Sequence, residues 1–108
     1  MSISTSDKLK VEIIDHTALI TIDNPVANTW DNDSLPALAS LIETLNADKN
    51  IFALVITGKG EKFFSAGADL NLFAVGDPDQ ARAMAEFFGK GFECLADFRG
   101  VSIAALNG

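Results

Sequence analysis

Phe64-Ser65-Ala66-Gly67-Ala68-Asp69-Leu70 is the stretch whose reading decides the fold of this chain. It follows an apolar run over residues 51–57, Ile-Phe-Ala-Leu-Val-Ile-Thr, and a Gly58-Lys59-Gly60 turn. A strand, a tight turn and four small residues closing on an Asp predict a loop that opens a helix at Asp69. Small side chains let a ligand approach the main chain, and the N–H groups where a helix begins have no partner within it. Such a segment can offer backbone donors to a developing negative charge.

Upstream, residues 8–15 carry Leu9, Val11, Ile13 and Ile14 in a strand pattern, and residues 18–23 form a second apolar run. The short His16-Thr17 link predicts an antiparallel hairpin, which Asn24-Pro25 ends. From about Asn32 the period becomes helical, with Leu35, Leu38, Leu41, Ile42 and Leu45 on one face. Asp33 or Ser34 is the expected cap, Pro36 is tolerated in the first turn, and residues 46–50 end the helix. The nearly continuous apolar run at 51–57 predicts a strand covered on both faces.

Downstream, Asp77-Pro78-Asp79-Gln80 is a helix start, with an Asp cap, Pro at the first position and Gln three residues after the cap. That helix is expected to run to about Asp97. Ala81, Met84, Phe88, Phe92 and Leu95 share a stripe that Phe87, Cys94 and Phe98 widen, which predicts a heavily buried helix. Arg99-Gly100 ends it, and residues 101–106 read as a further buried strand. The order β-β-α-β-loop-α-β is an α/β arrangement. A buried strand leads into a turn and another element, so stopping at Asn107-Gly108 reads as a cut chain.

The chain has 108 residues, 48% of them apolar, with eight Phe, one Trp and no Tyr, which is a folding composition for at most one domain. A formal charge of −7 argues against non-specific nucleic-acid binding, which needs a basic face. The single cysteine, Cys94, excludes an internal disulfide and a cysteine metal cluster and fits a reducing compartment. No run is long enough to cross a membrane, and the N-terminus lacks the basic start and apolar core of a signal peptide. A cytoplasmic location is expected. Gly58-Lys59-Gly60-Glu61-Lys62-Phe63 fails as a dinucleotide fingerprint because Phe63 holds the third glycine position. No P-loop or metal-ligand spacing occurs, so no metal and no separate cofactor is expected.

Four stretches in order resemble the enoyl-CoA hydratase/isomerase (crotonase) superfamily. Thr21-Ile22-Asp23-Asn24-Pro25-Val26-Ala27-Asn28-Thr29 resembles its strand, proline and "N-A-L" entry to the first helix. Leu54-Val55-Ile56-Thr57-Gly58-Lys59-Gly60 resembles its third strand and turn. Phe63-Phe64-Ser65-Ala66-Gly67-Ala68-Asp69-Leu70 matches its F-[SA]-A-G-A-D-[IL] segment, and Ile103-Ala104-Ala105-Leu106-Asn107-Gly108 resembles the start of its "I-A-A-[VL]-N-G" segment. The resemblance implies the N-terminal part only of a crotonase-type spiral of β-β-α repeats, spanning residues 1–108 and stopping before the second oxyanion-hole segment.

The resemblance also implies a function. The whole protein would be an acyl-CoA enzyme of fatty acid metabolism, first an enoyl-CoA hydratase adding water to a 2-enoyl-CoA. An enoyl-CoA isomerase, an acyl-CoA hydrolase or another reaction on the same oxyanion hole is the alternative, and a non-catalytic assembly module is a reading of a different class. Coenzyme A enters as part of the substrate thioester, and a homotrimer or hexamer is implied. The Ala68 N–H is the implied catalytic donor to the thioester oxygen. The implied substrate-binding positions are Ala27, Ala66, Gly67, Ala68, Asp69 and Leu70, with the backbone at Ala66 meeting the adenine end.

Other residues have plainer readings. Asp69 is read as a helix cap rather than a proton carrier. Leu70, Leu72 and Phe73 are either acyl-pocket wall or core, and Trp30 either borders the ligand or packs the first helix. His16 is read as a surface turn residue and Cys94 as buried and inert. Three positions where family members often carry cations hold Asn24, Ala27 and Asn71, so phosphate contact falls to Lys59 or Lys62, to sequence beyond Gly108, or to another subunit. The family's second oxyanion glycine and its two glutamates would also lie beyond Gly108. Glu12, Glu43, Glu61, Glu86 and Glu93 do not match those glutamates.

Overall fold

A computed structural model of the chain describes residues 3–69 and 76–108. Strands β1 (Leu9–Ile14) and β2 (Thr17–Ile22) form the expected antiparallel hairpin, with Ile14 opposite Thr17. The turn between them places Asp15 at φ 54, and the exposed His16 stacks on Phe52 at 4.3 Å. Helix α1 (Ser34–Ala47) carries the chain to β3 (Ala53–Gly58), which lies parallel to β2. Helix α2 (Pro78–Ala96) leads to β4 (Val101–Ala105), parallel to β3, so the sheet order is β1-β2-β3-β4.

One sheet face carries the core. Leu9, Ala18, Ile20, Ile22, Leu54 and Ile56 point towards α1, whose Leu35, Leu38, Leu41, Ile42 and Leu45 are buried against them. β2 and β3 therefore alternate buried and half-buried residues. Burial of β3 on both faces, expected from its continuous apolar run, is corrected to burial on one. β4 is corrected further: every residue in it is exposed, because it is the edge strand of the described sheet.

α2 is the outer layer and packs on α1, with only Met84 and Gly91 buried, so the expectation of a heavily buried helix fails. The reason lies in the layering. A helix with one neighbour buries one stripe however apolar its flanks are. At Gly91 the helices approach closely, and a Cβ there would stand 3.3 Å from Leu38 Cδ2. Cys94 is half-buried rather than buried. Burial, then the nearby Glu43 charge, pushes its thiol above its ordinary value.

The helix ends are set by side chains. Asp77 accepts from the Asp79 N–H at 2.9 Å with Pro78 in the first turn. At α1 neither predicted cap acts. Asp31 does, its Oδ1 accepting from the Asp33 and Ser34 N–H groups at 3.0 and 2.9 Å. The opposite end of α1 is held by Arg99, whose guanidinium donates to the carbonyls of Asn46, Asp48 and Ile51.

Candidate active site

Three loop segments meet at the ends of β2, β3 and β4. Past Ile22 the chain turns through residues 24–28, and Asn28 at φ 54 closes that turn with its N–H on the Asn24 carbonyl at 2.8 Å. Past Gly58 it doubles back through residues 59–63. Gly58 is required there, because a Cβ would stand 2.5 and 2.6 Å from the Phe63 and Phe64 carbonyl oxygens. Past Ala105 it reaches Asn107 and Gly108, the latter against the Lys62 main chain.

The segment at 65–69 lies across these loops with three of its five amides bonded among the described residues. The Ala66 N–H donates to the Ala27 carbonyl at 2.9 Å, and the Gly67 N–H to Ser65 Oγ at 3.1 Å. Trp30 takes both sides of Ala68: its N–H donates to the Gly67 carbonyl at 2.8 Å, and its carbonyl accepts from the Asp69 N–H at 2.9 Å. Trp30 and Ala68 thus form a parallel bridge outside the main sheet. Alternate amides of an extended segment point to opposite sides. The Ala68 N–H is therefore directed away from Trp30 and has no acceptor among the described residues. Gly67 adopts φ +92, which turns the chain into the bridge and favours glycine.

These bonds bring Ala27, Ala66, Gly67, Ala68 and Asp69 together, as the sequence grouped them. The helix expected to open at Asp69 would fall on residues outside the described ones; the Asp69 N–H itself sits in the Trp30 bridge, so the direction of the Ala68 N–H follows from extended-strand alternation. Leu70, Asn71, Leu72 and Phe73 lie outside the described residues. Trp30 packs as core, 3% exposed, with its ring edge-on to Phe92 of α2 at 5.5 Å.

Charge around the segment is mixed. Lys8 bridges Asp31 at 2.6 Å. Its ammonium pKa is raised, first by the bond to Asp31 and further by the charges of Asp31, Asp33 and Asp69. Burial pushes the Asp31 carboxyl upward, but the bonds from Lys8, Ser34 and Asp33 outweigh it and leave it below its ordinary value. Val26, Lys59, Gly60, Glu61, Lys62 and Phe63 line an open recess of about 360 Å³ beside the 24–28 loop. Lys59 is 3.5 Å from Asp23 with its side chain largely in solvent. Glu86 and Glu93 are exposed on α2.

Among the described residues no group of three or more His, Cys, Asp or Glu is placed to hold a metal ion. No described helix is long and apolar enough to cross a membrane.

Known proteins are similar to this chain in sequence and fold. Residues 12–108 match the family described as Enoyl-CoA hydratase/isomerase. A Mycobacterium tuberculosis protein described as probable enoyl-CoA hydratase EchA14 is 34% identical over 105 residues, covering 94% of this chain and 40% of that protein. A carnitinyl-CoA dehydratase from Salmonella arizonae is 39% identical over 93 residues, covering 82% of this chain and 34% of that protein. The solved structure of Pseudomonas aeruginosa DspI superposes with a TM-score of 0.93 at 66% identity, covering 95% of this chain and 42% of that one. The chain thus spans about two fifths of the length of the proteins it resembles. Its α/β fold is the N-terminal part of the crotonase-type fold.

Proposed function

Because this chain belongs to the enoyl-CoA hydratase/isomerase family, we propose that the whole protein adds water to a 2-enoyl-CoA, with the Ala68 N–H as one donor to the thioester oxygen. The supporting observation is the distribution of amide partners. Of the four N–H groups at 66–69, those of Ala66, Gly67 and Asp69 are bonded, and that of Ala68 has no acceptor among the described residues. A fixed donor with no partner to give up needs no reorganisation when charge develops.

In the reaction, the oxygen of water bonds to C3 of the enoyl group as one of its protons passes to a base outside these 108 residues. The C2=C3 π pair shifts towards the thioester carbonyl, whose oxygen takes up negative charge. A proton then reaches C2, giving a 3-hydroxyacyl-CoA. Ala68 acts on the charge at the oxygen. The second donor and the proton-carrying groups come from sequence outside these 108 residues, as the family resemblance implies. Ala27, Ala66, Gly67 and Asp69 border the thioester and adenine ends. Lys59 and Lys62, beside the recess, are the cations this chain offers to the coenzyme A phosphates. A trimer or hexamer and a cytoplasmic location complete the reading.

The test is turnover of crotonyl-CoA by the whole protein, with products identified. Formation of 3-hydroxybutyryl-CoA supports hydration. A shifted double bond or free coenzyme A assigns the same oxyanion site to isomerisation or thioester hydrolysis. The isolated 108-residue chain is expected to show no turnover.

A further inference from the structure

Two asparagines outside the proposed substrate contacts hold the turn at residues 59–63 from opposite sides. Asn28 is 3% exposed, and its Nδ2 donates to the Lys59 carbonyl at 3.2 Å and the Phe63 carbonyl at 3.0 Å. Its Oδ1 accepts from the Asn24 N–H at 3.1 Å. Asn107 repeats the pattern from the end of β4. Its Nδ2 donates to the Gly60 and Phe63 carbonyls, both at 2.9 Å, and its Oδ1 accepts from the Gly58 N–H at 3.0 Å. Each amide faces two acceptors with its nitrogen and one donor with its oxygen, so only one orientation satisfies each. The Phe63 carbonyl takes a bond from both.

From Phe63 the chain has three residues in which to reach the Ala66 N–H, which is bonded to Ala27, the neighbour of Asn28. Asn28 therefore fixes both ends of this short span: the Phe63 carbonyl directly, and the Ala27 carbonyl through its own backbone. Two residues later lies the Ala68 donor. Asn28 also sits at φ 54, where Asn is among the few side chains tolerated. The two side-chain amides join three loops at the ends of β2, β3 and β4.

We infer that Asn28 and Asn107 are positioning residues, clamping the 59–63 turn so that the Ala68 N–H keeps its aim at the thioester oxygen. The catalytic part of this inference rests on the function proposed above, and the clamp itself does not. Neither residue touches substrate. An error of about 1 Å in a donor can cost on the order of 100-fold in rate.

The experiment uses the whole protein with Asn28→Asp and Asn107→Asp, and exposed Asn32→Asp as a control for added charge. Asp keeps the size and tolerates the backbone but places an acceptor against two carbonyls. Amide hydrogen exchange across residues 63–69 and crotonyl-CoA kinetics are measured together. Exchange in that segment is expected to rise about 10-fold or more while α1 amides stay protected. kcat is expected to fall about 10- to 100-fold with KM within about twofold. Asn28→Asp should regain rate as pH falls and its carboxyl gains a proton to donate, whereas the control should match the parent throughout. If the Asn28→Asp protein does not fold, Asn28→Gly removes the same bonds without charge and gives the same comparison. Unchanged exchange and kcat in an active parent overturns the clamp. Raised exchange in a parent that turns over no acyl-CoA supports the clamp and counts instead against the proposed function.

Discussion

The loops at 24–28 and 58–69 and the cleft between α1 and α2 are both polar, yet they are built in opposite ways. In the loops the polar atoms are main-chain carbonyls and amides, cross-linked by Asn28 and Asn107 and drawn close by Gly58 and Gly108. The cleft, about 250 Å³, is lined by Ile42, Glu43, Asn46, Lys90, Glu93, Cys94 and Asp97. Its ion pair, Lys90 to Glu43 at 3.5 Å, joins two side chains more than half exposed. Long exposed charges screened by water contribute little and fix nothing. A backbone held on both sides of Ala68 presents an amide with no acceptor among the described residues. The contrast separates polar surface from a site.

Substitutions that strike each region should separate them further, and the largest effect belongs to the loops. Gly58→Ala forces a methyl into two backbone carbonyls that cannot yield separately, and should destabilise the fold by about 3 kcal/mol, read from denaturant midpoints at constant slope. Gly67→Ala meets no neighbouring atom but must hold φ +92. It should cost about 1–3 kcal/mol and lower kcat, so a loss of rate larger than the loss of stability would mark the bridge as functional.

Asp31→Ala removes the α1 cap and the Lys8 partner together and should cost about 1–2 kcal/mol in thermal unfolding. Its pH dependence follows from the two shifts. The lowered Asp31 carboxyl contributes above its ordinary value of 3.8, and that contribution is lost as pH falls through the folded value. The raised Lys8 contributes below its ordinary value of 10.5, and that contribution is lost as pH rises through the folded value. The cost of Asp31→Ala should therefore be flat between those limits and shrink outside them. The smallest effect belongs to the cleft: Lys90→Ala should change stability by less than about 0.5 kcal/mol and leave kcat alone.

Much of this was legible in sequence because the relevant forces are local. Alternation marked β1 and β2, the Leu35 to Leu45 stripe marked α1, and Asp77-Pro78 marked the start of α2. The small-residue run at 65–68 marked the segment that meets Ala27. Long-range relations were not legible. Asp31 won the cap from Asp33 and Ser34 because Lys8, distant in sequence, orients its carboxylate. Arg99 looked like a helix stop and is the cap on the far end of α1. β4 and α2 looked buried because their composition is apolar, but burial depends on neighbours, and among the described residues one is an edge strand and the other an outer layer. Asn28 and Asn107 appeared only as letters of a family motif. Their shared hold on the Phe63 carbonyl required the fold.

The most direct test of the central claim replaces the amide at Ala68 with an ester in the whole protein by semisynthesis. The ester keeps the side chain, the chain path and the Asp69 bond to Trp30, removes the N–H, and weakens the Gly67 carbonyl that accepts from Trp30. With Ala68 as an oxyanion donor, kcat for crotonyl-CoA should fall on the order of 100- to 1,000-fold with the fold intact. A rate within about twofold of the parent would contradict that role.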